Sequence, residues 1–210
     1  GAQTKVYGLT MPLITKADGT KFGKSESGTV WLDPNKTSPF QLYQFLLNTE
    51  DSKVIEYIKK LTFLSVEEIM ELEKELEENA GARKAHKRLA EEVVRDLHGQ
   101  EALDTAIKIT EALFTGSLQE LDADQRKQAV ADMEKIQLAP GKLEDILVNG
   151  KIASSKREAR EWTKGNAISL NGVKVNDPNM IIDLSQAYVD NVLLIRRGKK
   201  KNYAIELISE

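Results

Sequence analysis

The 210-residue chain contains no cysteine and only two histidines, His86 and His98. The first absence excludes disulfides and thiolate metal sites. The second leaves no basis for a zinc cluster and little scope for a histidine-based triad. No apolar run approaches the ~18 residues needed to cross a bilayer, and no secretory signal is visible. A cytoplasmic protein with no membrane partner and no metal site is therefore expected. The opening Gly1-Ala2-Gln3 lacks an initiator methionine and reads as a remnant of cloning. What is present suits one large domain or two to three small ones: 40% apolar residues, enough for cores, and 30% charged residues. The net charge of −3 is unevenly spread. Residues 143–210 hold 11 Lys and Arg against 9 Asp and Glu, whereas the preceding residues hold 19 against 24. A basic end on an acidic body points to a local nucleic-acid surface.

The segment Thr15–Gly28 is rich in Gly, Thr and Ser between two apolar runs, which reads as a flexible loop. It carries Lys21-Phe22-Gly23-Lys24-Ser25. Two lysines three apart on such a loop can cover a polyphosphate and follow charge developing on a leaving pyrophosphate. Taken alone, the pentapeptide reads first as solvated surface. Gly23-Lys24-Ser25 also matches the end of a Walker P-loop, but the required glycine five positions earlier is Asp18, with Gly19 one place too late. Ser27, Gly28 and Thr29-Val30-Trp31 follow instead of a helix, so the P-loop reading fails.

Helices dominate the middle of the chain. Ser38 is an N-cap with Pro39 at the first helical position, and Phe40, Tyr43, Phe45, Leu46 and Leu47 supply a buried stripe. Asn48–Ser52 breaks this helix, and Asp51 or Ser52 could cap the next. Ser65-Val66-Glu67-Glu68 is a capping box opening a helix to about Glu78. Helices over Ala82–Leu97 and Gln100–Phe114 are stopped by Gly99 and Gly116, with stripes of Leu89, Val93, Leu97 and Leu103, Ile107, Leu113. Residues 117–142 read as a connector ending at Pro140-Gly141.

The tail begins with a short helix, Leu143–Val148, closed by Asn149-Gly150. A second helix, capped by Ser154 or Ser155, carries Lys156, Arg157, Arg160 and Lys164 around its exposed side. Its cap region offers free N–H groups to a phosphate. Asn171-Gly172 marks a hairpin turn. Val192–Ile195 then meets the basic run Arg196-Arg197-Gly198-Lys199-Lys200-Lys201, and Tyr203-Ala204-Ile205 closes as a strand. Trp162, at helical spacing from Ala159, is assigned to the core.

Tyr7-Gly8-Leu9-Thr10-Met11-Pro12-Leu13-Ile14, Lys21–Ser25, Trp31-Leu32-Asp33 and Thr37-Ser38-Pro39 together resemble the bacterial tyrosyl-tRNA synthetase family. The likeness runs to the C-terminus but begins midway through that family's sequence, after its catalytic Rossmann half. It implies a mainly α fold with a small α+β domain. Residues 1–36 would end the catalytic domain and carry the class I Lys-Met-Ser-Lys-Ser-type loop. Residues 37–116 would be a helical anticodon-recognition bundle, 117–142 a connector, and 143–210 an S-four-like RNA-binding domain. The parent activity would be tyrosine activation with ATP, accompanied by Mg2+, and transfer to tRNA(Tyr). No tightly bound cofactor is implied, and a homodimer would form mainly through the other half. Lys21 and Lys24 would stabilise the pyrophosphate and Ser25 help close the loop, with Phe22 and Gly23 completing the ATP-binding segment. Phe22-Gly23 stand where other class I members often have Met-Ser. RNA contacts would come from Asp51 in the helical part. In the tail they would come from Lys151, Ser154, Ser155, Lys156, Arg157, Arg160, Lys164, Arg197, Lys199, Lys200 and Lys201. The chain alone is expected to be inactive. A stand-alone RNA-binding adaptor is the alternative, and a tryptophanyl relative would share the loop but normally lack the tail.

Overall fold

The computed structural model describes residues 14–19, 21–25, 28–199 and 201–208, with backbone alone at Lys24, Ser25 and Gly28. Tyr7–Leu13 of the resemblance and Lys200 lie outside these. The chain divides into two compact units, one running to Thr37 and including Leu42–Leu97, the other Ser38–Gln41 with His98 onward.

In the first unit the Gly/Ser-rich segment is not an open loop. Thr15 bridges Lys21 around Gly19 at φ +81°, and Lys24–Ser25 (β1) pairs antiparallel with Gly28–Thr29 (β2). Gly23 at φ +88° joins the two pairings, a conformation that costs a residue with a Cβ. Phe22 gives the sequence a reason to fold there. Its ring packs edge-on against Phe45 at 5.4 Å and Tyr57 at 4.8 Å, and the Tyr57 hydroxyl donates to Thr15 O at 2.6 Å.

The helices of this unit are α1 (Pro39–Leu47), α2 (Asp51–Leu61), α3 (Val66–Asn79) and α4 (Lys84–His98), the first and last extending across its bounds. Ser38 caps α1 reciprocally with Gln41, and Ser65 makes the expected box with Glu68. Leu42, Tyr43, Leu46, Val54, Tyr57, Ile58, Leu89 and Val94 are buried. The α4 stripe stops short of expectation, since Leu97 is exposed and no α3 residue is fully buried.

The second unit joins α5 (Gln100–Thr115) and α6 (Ala123–Ala131) to a mixed sheet. Gly99 and Gly116 bound α5 at φ +87° and +89°, as their spacing predicts, but its buried stripe is Leu103, Ala106, Ile109 and Ala112, with the expected Ile107 and Leu113 only partly buried. After α6 come β3 (Lys135–Leu138), β4 (Gly141–Lys142), α7 (Leu143–Asn149), α8 (Lys156–Lys164), β5 (Ile168–Leu170), β6 (Val173–Val175), β7 (Ile181–Ile182), β8 (Val192–Arg197) and β9 (Lys201–Leu207). Strand order is β3-β9-β8-β5-β6, with β3 parallel to β9 and the other pairs antiparallel. The stretch 117–142, read as a connector, thus supplies an edge strand, with Lys135 opposite Ala204 and Leu138 opposite Leu207. Asn171 (φ +50°) and Gly172 (φ +88°) make the predicted hairpin turn between β5 and β6.

One face of this sheet packs Ile168, Leu193, Ile195 and Ile205 against Leu143, Ile146, Leu147 and Ala159 of α7 and α8. Each fully buried Leu or Ile contributes ~1.5–3 kcal/mol. A second cluster gathers Leu118, Val130, Tyr188, Leu194 and Ala204. The fold is mixed α and β, and no helix among the described residues is long and apolar enough to cross a membrane.

Candidate nucleic-acid interface

The basic residues of the tail are presented by α8 and by the β8–β9 turn. Ser155 caps α8, accepting from Glu158 N at 3.2 Å, and this fixes where the helix begins. Lys156, Arg157, Arg160 and Lys164 are all exposed on it. They are not equally available. Arg160 grips Glu144 of α7 through Nε–Oε2 at 2.5 Å and Nη2–Oε1 at 3.1 Å, and Lys156 pairs with Asp145 at 2.7 Å. Arg157 and Lys164 make no ion pair among the described residues. Of the four cations expected on the exposed side of this helix, Lys156 and Arg160 tie α8 to α7. Glu144 is 3% exposed, and Arg160 above all holds its carboxyl below the usual carboxylate range, against the effect of burial. Asp145 in turn raises the Lys156 ammonium.

The β8–β9 turn reverses at Gly198, φ +62°, and exposes Arg197 and Lys199. Lys201 lies on β9 with its ammonium 5.0 Å from the Tyr203 ring. Arg196, from the same basic run, turns inward instead. It is 6% exposed, and its Nη2 donates to Phe114 O and Lys199 O, which fastens the end of α5 to the turn. Trp162 is only half buried. It packs on the core cluster, while Arg197 lies over its ring at 4.6 Å. Sequence reasoning missed this stack, because Trp162 and Arg197 are separated by the whole β5–β7 segment. Lys151 and Ser154 are exposed in the α7–α8 loop, Lys151 at φ +55° and Ser154 bonded to Glu158.

In the first unit, Asp51 is the first residue of α2 and Glu50 occupies the cap, so neither Asp51 nor Ser52 caps that helix. Asp51 Oδ1 lies 2.9 Å from His86 Nε2 and 3.8 Å from Arg83 Nη1. Arg83 also donates to Leu47 O at 2.6 Å, bracing the α1–α2 turn. Burial, followed by Arg83, pushes the His86 imidazole down, with Asp51 opposing. The Asp51 side chain remains 55% exposed.

Lys21 is exposed beside the Phe22 clasp, and Lys24 and Ser25 stand on β1. No group of three or more His, Asp or Glu residues converges on a metal-binding point among the described residues.

Two family descriptions match. Residues 2–115 match "tRNA synthetases class I (W and Y)", and residues 125–205 match the "Tyrosine–tRNA ligase SYY-like C-terminal domain". A tyrosine–tRNA ligase of Oceanobacillus iheyensis is 48% identical over 98% of this chain and 48% of its own length. That of Geobacillus stearothermophilus is 48% identical over 97% of this chain and 49% of its own. A C-terminally truncated Coccidioides posadasii mitochondrial tyrosyl-tRNA synthetase structure aligns at 38% identity, covering 48% of this chain and 26% of that one, with a TM-score of 0.42. The chain spans about half the length of the curated relatives it matches. It belongs to the class I tRNA synthetases of the tryptophan and tyrosine family, on the bacterial tyrosyl branch.

Proposed function

We propose that this chain is the tRNA-binding part of a tyrosine–tRNA ligase, whose whole activates tyrosine with ATP and transfers it to tRNA(Tyr). The observation that carries the proposal is the basic set presented together by α8 and the β8–β9 turn, in a region matching the ligase C-terminal domain. Arg157, Lys164, Lys199 and Lys201 meet phosphates directly, joined by Lys200, while Arg197 adds its charge from over the Trp162 ring. Lys156 and Arg160 do so while retaining their α7 partners. Such contacts position the RNA rather than read its sequence. In this reading, residues 143–210 form the S-four-like domain and residues 37–116 the anticodon-recognition domain. Asp51, still half exposed beside His86, accepts from an anticodon base.

The phosphate chemistry belongs to Lys21 and Lys24. Their ammonium groups stabilise charge that develops on the departing pyrophosphate, and Ser25 helps close the segment over ATP. The Phe22 clasp supports this by fixing the start of β1 against α1 and α2. Mg2+ accompanies the substrate, carried mainly by ATP phosphates. The parent enzyme acts as a cytoplasmic homodimer. A stand-alone RNA-binding adaptor is the weaker reading, because the synthetase match also covers residues 2–115.

Tyrosine-dependent pyrophosphate–ATP exchange tests the division of labour. The purified chain should give none and still retard tRNA(Tyr) in a gel. Exchange that survives purification and disappears on Lys24→Ala would overturn it.

A further inference from the structure

Between the α7–α8 loop and the start of the β8–β9 turn lies an open cavity of about 500 Å3. Lys151, Ile152, Ser154, Glu158, Trp162 and Arg197 line it. It is an open groove rather than an enclosed pocket, which suits a flat group laid against one wall. We propose that it holds one unpaired nucleotide of bound RNA, with the base stacked on the Arg197–Trp162 pair and its amino edge on Glu158. This deepens the proposed function and rests on its reading of the tail as an RNA-binding surface.

Three features favour a base over a bare phosphate. First, the Arg197 guanidinium lies on the Trp162 ring at 4.6 Å, and its Nη1 reaches Ile152 O at 3.4 Å. A planar cation held in this way offers its second face to a stacking partner, as arginine planes do for splayed RNA bases. Second, Glu158 accepts from Ser154 N at 2.6 Å and Ser154 Oγ at 2.7 Å, both on Oε2, leaving Oε1 without a bond among the described residues. The Ser154 bonds hold the Glu158 carboxyl below the usual carboxylate range, so it is an anion at neutral pH. An anionic acceptor in the wall repels phosphate and welcomes an amino group. Third, the lining includes the exposed Lys151, a cation that can meet the phosphate attached to the same nucleotide. The selectivity follows from the donor inventory. Adenine, cytosine and guanine carry exocyclic amino groups for Glu158, and uracil does not.

The test uses the full 210-residue chain carrying Trp31→Phe, which leaves Trp162 as its only tryptophan. Two fluorescein-labelled probes are titrated at low salt: an unmodified tRNA transcript with a tyrosine anticodon, and a blunt RNA duplex with no unpaired nucleotide. Anisotropy reports binding, and tryptophan emission reports cavity occupation. Both RNAs should bind, but only tRNA should shift Trp162 emission, saturating at the same midpoint as its anisotropy. Arg197→Lys keeps the charge and removes the plane. It should weaken tRNA binding by about five-fold or more while leaving the duplex within about two-fold. If tRNA binds with Trp162 emission unchanged, or the duplex shifts it equally, the cavity holds no base although the RNA-binding reading stands. Equal losses for both RNAs on Arg197→Lys would overturn the stacking role. Binding of neither RNA would overturn the RNA-binding reading itself, and the proposal with it.

Discussion

Arg160 of α8 holds Glu144 of α7 through two parallel hydrogen bonds, at 2.5 and 3.1 Å, and the carboxylate is almost wholly enclosed. The most central cation of the basic helix is thus also a structural clamp. Arg160→Ala should lower the thermal midpoint, because it strands an enclosed carboxylate. Lys164→Ala should leave the midpoint within about 1 °C, since the residue has no ion-pair partner among the described residues to strand. Differential scanning calorimetry separates the two, and equal midpoints would remove the clamp from the account.

The same pair sets a direction of pH dependence. The Glu144 carboxyl lies below its ordinary value of 4.5 because of Arg160, with Lys156 and Lys142 adding to it. A group whose folded pKa is depressed stabilises the protein fully above its unfolded value, and that contribution is lost as pH falls through the folded value. Thermal midpoints should therefore hold above about pH 4.5 and decline below it. Glu144→Gln should make that decline shallower without abolishing it, because Glu56, Glu68 and Glu158 are also depressed, Glu56 down to about 2. A midpoint series from pH 7 to 3 measures the difference, and superimposable slopes would contradict it.

Glycine substitutions should separate backbone strain from crowding. Gly19 and Gly172 both have φ above +80°, but a Cβ on Gly19 meets nothing, whereas one on Gly172 lies 2.7 Å from Gly116 O. Gly19→Ala should cost about 1 kcal/mol from conformation alone. Gly172→Ala should cost more, about 2–4 kcal/mol, since a backbone oxygen must also move. Urea unfolding with both variants checks the order.

Much of this architecture was legible in the sequence where one local device decides the outcome. Ser38 and Ser65 cap helices as their spacing predicts, Ser155 is the one of two candidate serines that caps α8, Gly99 and Gly116 bound α5, and Asn171-Gly172 turns a hairpin. What escaped depends on partners distant in the chain. β3 has four residues and becomes a strand through its parallel pairing with β9. The Lys21–Ser25 segment looked like an open loop because its glycines and hydroxyls are evident, whereas the rings that hold Phe22 come from α1 and α2. Lys156 and Arg160 looked free because the acidic residues facing them belong to another helix. In the candidate site, residue types were readable but their availability was not.

In a full-length enzyme, Lys21→Ala or Lys24→Ala should lower kcat for tyrosine activation, each by about 3 kcal/mol of transition-state stabilisation, and change tyrosine KM little. Pre-steady-state adenylate formation measures this. Unchanged kcat in both variants would make the segment ordinary surface.

The most direct test of the central claim is filter binding of a tRNA(Tyr) transcript to the 210-residue chain across a salt series. If about five of the exposed cations on α8 and the β8–β9 turn meet phosphates, log affinity should fall against log salt with a slope of roughly −3 to −5. Neutralising Arg157 and Lys164, the α8 pair without carboxylate partners among the described residues, should make that slope shallower by about one to two units. The loss should be alike for cognate and non-cognate tRNA. A flat salt dependence, or a double variant that binds with the parent's slope, would contradict electrostatic docking of tRNA on this surface.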